Sequence, residues 1–168
     1  MNPMREIGIE KVVINIGVGE GGDRLAKAEK VLEIITGSKP ARTFARKSVR
    51  EWGVKKGSPI GCMVTLRGEK AREMLERALE AVEKKVKADS FDGNGNFSFG
   101  IKEHIDIPGV SYDPELGIFG MDVCVRLERK GGRVKRRAKT PRPLPKKQAV
   151  TAGEAIDFMK EKFGVQVI

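Results

Sequence analysis

Basic residues are concentrated in two segments of the chain, 39–67 and 126–147. The first segment contains eight lysines and arginines and one acid, Glu51. The second contains eleven and one acid, Glu128. These segments carry formal charges of +7 and +10, so the remainder of a chain of net charge +10 sums to −7. Positive charge concentrated in this way on an otherwise acidic body indicates that the segments bind a polyanion.

The first basic segment also contains the other residue types that RNA recognition uses. Arginine and lysine donate charge-assisted hydrogen bonds to phosphates, and arginine can donate two at once. Thr43 and Ser48 can add hydroxyl contacts, and nearby glycines allow an RNA backbone to approach closely. Trp52 offers a flat surface on which a base or a sugar can stack. The alternative for Trp52 is that its ring packs beneath its own loop.

A glycine motif, Gly17-Val18-Gly19-Glu20-Gly21-Gly22, suggests a different chemistry. In dinucleotide-binding enzymes a G-x-G-x-x-G turn between a strand and a helix lets the backbone approach a pyrophosphate. Here Glu20 and Asp23 place two negative charges where the phosphates would lie. The next predicted strand carries Arg42 and Arg46, which would suit a 2′-phosphate, so an NADP-dependent or nucleotide-binding enzyme stays an alternative. We interpret the motif as a tight strand-to-helix turn.

The residues that could support catalysis or metal binding are few. His104 is the only histidine. It could act as a general base, but no nucleophile motif accompanies it, and we expect it to make an ordinary hydrogen bond. Cys62 and Cys124 lie in separate apolar runs, which predicts buried, reduced thiols. We therefore predict no catalytic residue, no metal and no cofactor.

The hydrophobic pattern predicts an α+β fold. Alternation of apolar and polar residues predicts strands at 8–18, 41–48, 60–67, 97–103 and 121–128. Helical periodicity and capping signals predict helices at 24–36 and 69–87 and a last one from Thr151 to Phe163, with Asp23 capping the first and Gly37 ending it. Because strands and helices do not alternate strictly, we expect a single domain over 1–168. It would be an antiparallel sheet of about five strands with helices packed on one face, plus exposed basic loops.

Residues 129–147 form a basic arm with almost no apolar content and three prolines, Pro141, Pro143 and Pro145. This composition predicts an exposed, mobile segment. Its prolines argue against an amphipathic helix at a membrane surface, so RNA is the expected partner. The chain also has neither the roughly 20 apolar residues that cross a bilayer nor the apolar stretch of a signal peptide. We therefore expect a soluble, intracellular protein that does not bind membranes.

Several stretches, in order along nearly the whole chain, resemble the family of large-subunit ribosomal protein five, which binds 5S rRNA. In the first half they are Asn15-Ile16-Gly17-Val18-Gly19-Glu20, Thr36-Gly37-Ser38-Lys39-Pro40, Ala45-Arg46-Lys47-Ser48-Val49, Pro59-Ile60-Gly61-Cys62 and Val64-Thr65-Leu66-Arg67-Gly68. In the second half they are Ser90-Phe91-Asp92, Gly95-Asn96-Phe97-Ser98-Phe99-Gly100-Ile101-Lys102-Glu103, Tyr112-Asp113 and Gly120-Met121-Asp122. The arm and the run Ile118–Cys124 resemble the archaeal and eukaryotic branch of the family.

This resemblance implies a non-enzymatic protein in the central protuberance of the cytoplasmic ribosome. Its first strand and the 39–48 segment would face 5S rRNA. The implied rRNA-binding residues are Lys11, Asn15, Lys39, Thr43, Arg46, Lys47, Ser48 and Arg67. The arm would add contacts to rRNA through Arg133, Lys135, Arg136 and Arg137.

The resemblance also implies further partners for two loops. The 49–59 loop, with Arg50, Trp52, Lys55 and Lys56, looks like the family's loop that reaches P-site tRNA. The 107–116 loop, with Ile107, Pro108, Tyr112 and Asp113, looks like the one that contacts small-subunit protein thirteen. The 23S-type rRNA and neighbouring large-subunit proteins would complete the surroundings. A general RNA-binding or RNA-remodelling domain outside the ribosome is the remaining alternative.

Overall fold

Strands and helices are interspersed along residues 2–168, which are the residues that the computed structural model describes. The strands there are β1 (Ile7–Gly17), β2 (Ala41–Phe44), β3 (Pro59–Leu66), β4 (Lys85–Val86), β5 (Asn96–Ile101), β6 (Met121–Arg129) and β7 (Gln166–Val167). The helices are α1 (Asp23–Thr36), α2 (Glu69–Ala81), the single turn α3 (Arg133–Arg136) and α4 (Ala152–Phe163). None of these helices is long and apolar enough to cross a membrane.

The main sheet is antiparallel and has five strands in the order β2–β3–β1–β6–β5. This confirms the α+β prediction. A small second sheet pairs β4 with β7 in parallel. The backbone contacts cluster in two compact units. Unit 1 contains residues 2–12, 67–99 and 124–168, and unit 2 contains residues 13–66 and 100–123.

The core of unit 2 follows the predicted periodicity. Ile14 and Ile16 of β1 are buried, as is the predicted stripe of α1, which consists of Leu25, Ala28, Leu32 and Ile35. Helix α1 lies against β3. It ends as predicted at Gly37, whose φ of 61° is the left-handed conformation that glycine adopts without strain. Its start differs from the prediction, because Gly22 is the N-cap and Asp23 is the first helical residue.

In unit 1, α2 is shorter than its periodicity predicts. The helix ends at Ala81, and Glu83 and Lys84 take positive φ values of 55° and 57°. This reversal lets Val86 enter β4, where its carbonyl accepts a hydrogen bond from the Ile168 N–H at 3.0 Å. Val86 is 2% exposed. Pairing with the C-terminal strand and burial of Val86 therefore override the helical pattern.

The two cysteines differ in their surroundings. Cys62 is fully buried in β3, and desolvation raises the pKa of its thiol to about 11. Cys124 alternates along β6 with the buried Val123 and Val125, so it lies on the other face of the strand, and it is exposed. The prediction of burial was correct for Cys62 and wrong for Cys124, because an apolar run in a strand does not identify its buried face.

Gly61 of β3 lies between the neighbouring strands β1 and β2 and has no room for a side chain. A Cβ atom added to Gly61 would lie 2.7 Å from the carbonyl oxygen of Ile16 and 2.8 Å from Oγ1 of Thr43. Such distances are well below van der Waals contact, and the Ile16 carbonyl belongs to the backbone of a paired strand. Only glycine fits at this position without moving a strand.

We expect Gly61→Ala to lower the free energy of unfolding by about 1–3 kcal/mol, the usual cost of overpacking a core. The measurement is urea denaturation followed by circular dichroism. Gly8→Ala is the matched control, because Gly8 is also in a strand of the sheet and an added Cβ there meets no atom within 4 Å. Equal stability of the two variants would contradict the close approach at Gly61.

The predicted capping box of α4 is present and is linked to β6. Glu154 Oε2 accepts a hydrogen bond from the Thr151 N–H at 3.1 Å, and Thr151 Oγ1 accepts one from the Glu154 N–H at 3.4 Å. The other carboxylate oxygen of Glu154 lies 2.6 Å from Nη2 of Arg129. The Thr151 N–H and then Arg129 lower the pKa of Glu154 below its ordinary value of 4.5.

A lowered pKa in the folded state means that ionised Glu154 stabilises the fold. This contribution is complete above the ordinary pKa of 4.5 and is lost as the pH falls through the lower folded value. We expect the stability difference between the wild type and Glu154→Gln to shrink between about pH 5 and pH 3. Denaturation midpoints across this range measure it, with the exposed Glu161→Gln as the control. A difference that is independent of pH would contradict this role.

Candidate nucleic-acid interface

The first basic segment folds as an extension of the β2–β3 hairpin, and we call residues 39–59 the basic hairpin. Strand β2 ends at a bulge between Thr43 and Phe44, four residues earlier than predicted. Ala45 continues the pairing beyond the bulge. Its N–H donates to the Ser58 carbonyl and its carbonyl accepts from the Gly57 N–H, both at 2.9 Å. The charged residues that follow are therefore held by backbone hydrogen bonds.

The tip of the basic hairpin is also ordered by hydrogen bonds. Val49 and Val54 exchange two backbone hydrogen bonds of 2.9 and 3.1 Å. The tip itself is a 3₁₀ turn at Arg50–Trp52, which ends at Gly53 with a φ of 64°. Ser48 Oγ accepts a hydrogen bond from the Lys56 N–H at 2.9 Å. The Ser48 hydroxyl therefore braces the loop and can still donate its own hydrogen to a phosphate.

Most cations of the basic hairpin point into solvent. The cations that are exposed and enter none of the ion pairs among residues 2–168 are Lys39, Arg46, Lys47, Arg50, Lys55 and Lys56. Arg42 differs, because its Nε lies 2.5 Å from Glu29 Oε1 of α1 and its Nη2 lies 3.2 Å from Glu29 Oε2. The hydrogen bond that Arg42 donates to the Glu29 carboxylate raises the pKa of Arg42. Arg42 thus ties the hairpin to α1, and the six exposed cations carry its positive field.

Trp52 lies at the tip with 76% of its surface exposed. Of the two arrangements that the sequence allowed, packing beneath the loop is therefore wrong. An exposed indole on a hydrogen-bonded tip costs little conformational entropy on binding, and one face of it is available for stacking. Phe44, at the bulge of the same hairpin, is 58% exposed and adds a second aromatic surface.

The eight residues nominated for rRNA binding do not all lie in one unit. Lys39, Thr43, Arg46, Lys47 and Ser48 are together on the basic hairpin in unit 2, which also contains Asn15 of β1. Lys11 of β1 and Arg67, which follows β3, belong to unit 1. Lys11 and Asn15 alternate with the buried Val12 and Ile14, so both lie on the other face of β1 and are half-buried.

The glycine motif is a turn in which two N–H groups are bonded to β3. Both the Val18 and the Gly19 N–H donate to the carbonyl of Ile60, at 2.9 and 2.8 Å. Glu20 forms an exposed ion pair of 3.4 Å with Arg24 in the first turn of α1. A dinucleotide site directs backbone N–H groups at a pyrophosphate. Here the Val18 and Gly19 N–H groups are bonded to β3 instead, and the Glu20 carboxylate lies next to them in the turn.

His104 has the ordinary structural role that its surroundings in sequence suggest. It is 2% exposed, and its Nδ1 accepts a hydrogen bond from the Phe119 N–H at 3.2 Å. Desolvation lowers its pKa, so the imidazole is neutral. It joins the 3₁₀ turn at His104–Asp106 to the segment that enters β6. Within residues 2–168 no cluster of three potential metal ligands is present.

The 107–116 loop presents only some of the residues nominated for contact with a small-subunit protein. Tyr112 is 55% exposed, and the neighbouring turn is held by Asp113, whose Oδ1 accepts from the Glu115 N–H at 2.9 Å. Pro108 is also exposed. Ile107 corrects the prediction, because it is 1% exposed and therefore anchors the loop in the core. Sequence alone did not separate this anchor from the exposed residues.

The basic arm is bonded to acidic residues of β1 and β6 and to Glu6, which precedes β1, all in unit 1. Lys130 pairs with Glu6, and this hydrogen bond lowers the pKa of Glu6. Arg136 of α3 pairs with Glu10, and its Nη2 lies 2.6 Å from Glu128 Oε2. The nominated Arg136 thus has two carboxylate partners, whereas Arg133, Lys135 and Arg137 extend from the same turn as exposed side chains.

Sequence reasoning missed the residue at the centre of these ion pairs. The Glu10 side chain is 8% exposed, and its Oε2 also lies 2.7 Å from Arg126 Nε. A signal was present, because Glu10 has the same parity in β1 as the buried Val12 and Ile14. An acid on the buried face of a strand needs cationic partners. The two arginines meet this need from positions far along the chain.

Comparison with known proteins identifies the family. The N-terminal part, residues 2–55, matches the family described as ribosomal protein L5, and residues 59–158 match the model of the C-terminus of the same ribosomal family. Large ribosomal subunit protein uL5 of Sulfurisphaera tokodaii is 53% identical over 100% of this chain and 96% of its own length. The uL5 proteins of Methanosphaera stadtmanae and Pyrobaculum aerophilum are 50% and 52% identical, over 99% of this chain and 99% and 93% of their own lengths. The chain belongs to the ribosomal protein L5 family.

Proposed function

We propose that this chain is a structural, non-enzymatic constituent of the large subunit of the cytoplasmic ribosome, where it binds 5S rRNA. Its family and its uL5 relatives support the ribosomal role. The observation that carries 5S rRNA binding is the basic hairpin, in which six exposed cations are mounted on a hydrogen-bonded backbone. A protein that positions RNA requires phosphate contacts and a rigid platform, and no reacting group.

The geometry of the hairpin suits RNA better than it suits a small anion. The exposed cations extend from Lys39 before β2 to Lys56 beyond the tip, so successive phosphates of one strand can be bound along it. Glycines and hydroxyls between them permit backbone contacts. A-form duplexes expose little sequence to side chains, so recognition of 5S rRNA would depend on shape and on unpaired nucleotides.

The tip of the hairpin is our candidate contact for P-site tRNA. Arg50, Lys55 and Lys56 supply positive charge beside the exposed indole of Trp52. Such a combination of cations and an aromatic ring binds RNA with little sequence preference. Such a contact would not depend on the sequence of the tRNA in the P site.

Two other surfaces complete the proposal. The 107–116 loop, through Pro108, Tyr112 and Asp113, would contact small-subunit protein thirteen and so bridge the subunits. The basic arm would contact 23S-type rRNA, and neighbouring large-subunit proteins would pack nearby. The exposure of Tyr112 and the turn held by Asp113 support the first contact. The charge of the arm supports the second.

Replacing Arg46 and Lys47 together by alanine should weaken 5S rRNA binding by about tenfold or more, because two charge-assisted phosphate contacts are lost. The plot of log affinity against log salt concentration should also flatten by about one to two units of slope. Both side chains are exposed, so the fold should be retained. Electrophoretic mobility shift at several salt concentrations measures both effects.

The control for this double variant is Lys160→Ala combined with Lys162→Ala. It removes the same charge from exposed positions of α4. We expect its affinity for 5S rRNA to stay within about threefold of the wild type, because exposed charges that do not contact the RNA are largely screened by salt. Equal losses in the two double variants would show that net charge alone governs binding and would overturn the assignment to the basic hairpin.

Trp52→Ala should weaken binding of P-site tRNA to large subunits reconstituted with the variant. Loss of one stacked aromatic ring costs about 1–3 kcal/mol. Trp52→Phe should recover part of this loss because it retains a ring, and neither change should alter thermal stability. Filter binding of tRNA to the reconstituted subunits measures the effect. Wild-type tRNA affinity in the alanine variant would refute the proposed contact.

A further inference from the structure

A cavity of about 220 Å³ lies in unit 1 beside strand β6. One wall is formed by Arg126–Arg129 of β6. The other is formed by the C-terminal end of the basic arm, which contributes Leu144, Pro145 and Lys146. Lys135 of α3 contributes to the rim. None of its lining residues belongs to the basic hairpin, which is part of unit 2.

Cations dominate the polar lining of the cavity. It contains Arg126, Arg129, Lys135 and Lys146 and a single carboxylate, Glu128. Glu128 Oε2 is 2.6 Å from Arg136, so its negative charge is already compensated by a residue outside the lining. Glu10 and Glu154, also outside the lining, compensate Arg126 and Arg129 in the same way. The uncompensated positive charge of the cavity is therefore that of Lys135 and Lys146, and it favours an anionic ligand.

The four cations have two different roles. Arg126 and Arg129 are held by Glu10 and Glu154 at 2.7 and 2.6 Å, so they are fixed parts of the wall. Lys135 and Lys146 enter none of the ion pairs among residues 2–168. Their ammonium groups are therefore available to an incoming phosphate, and both are at the exposed edge of the cavity.

The rest of the lining suits the other parts of a nucleotide. Leu144, Pro145 and Ala149 form an apolar floor with accessible surface. Leu127 and Val150 also line the cavity but are each only 2% exposed. Asn94 and Gln148 provide amide groups that can donate to and accept from the edge of a base. A phosphate, an apolar ring face and a polar ring edge are the three surfaces of a single nucleotide.

We propose that this cavity binds one nucleotide of single-stranded ribosomal RNA, with its phosphate at Lys135 and Lys146. The inference rests on the proposed function and locates the rRNA contact of the basic arm in this cavity. A volume of about 220 Å³ is below the roughly 300–1,000 Å³ typical of pockets for whole small molecules. It therefore suits part of a polymer better than a dinucleotide cofactor. The base or ribose packs against the apolar floor. Arg136, which has two carboxylate partners, positions the arm and does not contact phosphate.

The test uses the full chain and a fluorescent single-stranded ribopentanucleotide. Lys135→Ala combined with Lys146→Ala should raise the dissociation constant about tenfold and reduce the salt slope by about one to two. The matched control is Lys139→Ala combined with Lys147→Ala, which removes the same charge from exposed arm positions outside the cavity lining. The dissociation constant of the control variant for the pentanucleotide should stay within about threefold of the wild-type value. Equal weakening by both double variants would overturn the cavity site.

Adenosine 5′-monophosphate and inorganic phosphate are tested as competitors, to separate an RNA site from a site for free nucleotides. We expect each to compete at least tenfold more weakly than an unlabelled pentanucleotide, because neither has neighbouring phosphates. Competition as strong as that of the pentanucleotide would overturn the assignment to RNA. The same proteins are also titrated with 5S rRNA. Two results together would reject only the cavity site. They are selective 5S rRNA binding that depends on Arg46 and Lys47, and equal pentanucleotide affinities of the two double variants of the arm. Unselective 5S binding would reject the proposed function.

Discussion

Backbone pairing at Ala45 is the interaction on which the candidate RNA interface depends. Ala45 is 8% exposed between residues that are almost all charged or polar, and its N–H and carbonyl are bonded to Ser58 and Gly57. Without these bonds the chain beyond β2 would be a long basic loop, and ordering it on RNA would cost roughly 1–2 kcal/mol per residue. With them, the cations are already positioned before RNA is bound.

The acidic residues decide which cations remain available. Glu29 binds Arg42, and Glu10 binds Arg126 and Arg136, so these arginines stabilise the protein itself. The exposed cations of the hairpin have no such role. Net charge therefore overstates the RNA-binding surface, and the position of each carboxylate defines it. On the arm, Arg136 is bound by Glu10 and Glu128, whereas Lys135 and Lys146 enter no ion pair among residues 2–168 and remain available to RNA.

Features set by neighbouring residues could be predicted from the sequence, and features set by distant ones could not. The buried stripe of α1 and the capping box of Thr151 and Glu154 are local, and both are present as predicted. The early end of α2 depends on β7, some 80 residues further along. The bonding of Glu10 depends on Arg136, 126 residues away. Within the candidate site, residue types predicted the basic hairpin, whereas the burial of Ile107 required the tertiary structure.

Selectivity for 5S rRNA tests the central claim most directly, because net charge alone would bind any RNA. The measurement is a salt titration of the purified chain against 5S rRNA and against a duplex RNA of the same length. Our account predicts tight, selective binding of 5S rRNA with a log–log salt slope of about −3 to −6, as expected for several phosphate contacts. Equal affinity for both RNAs at every salt concentration would contradict it and would indicate a general nucleic-acid-binding protein.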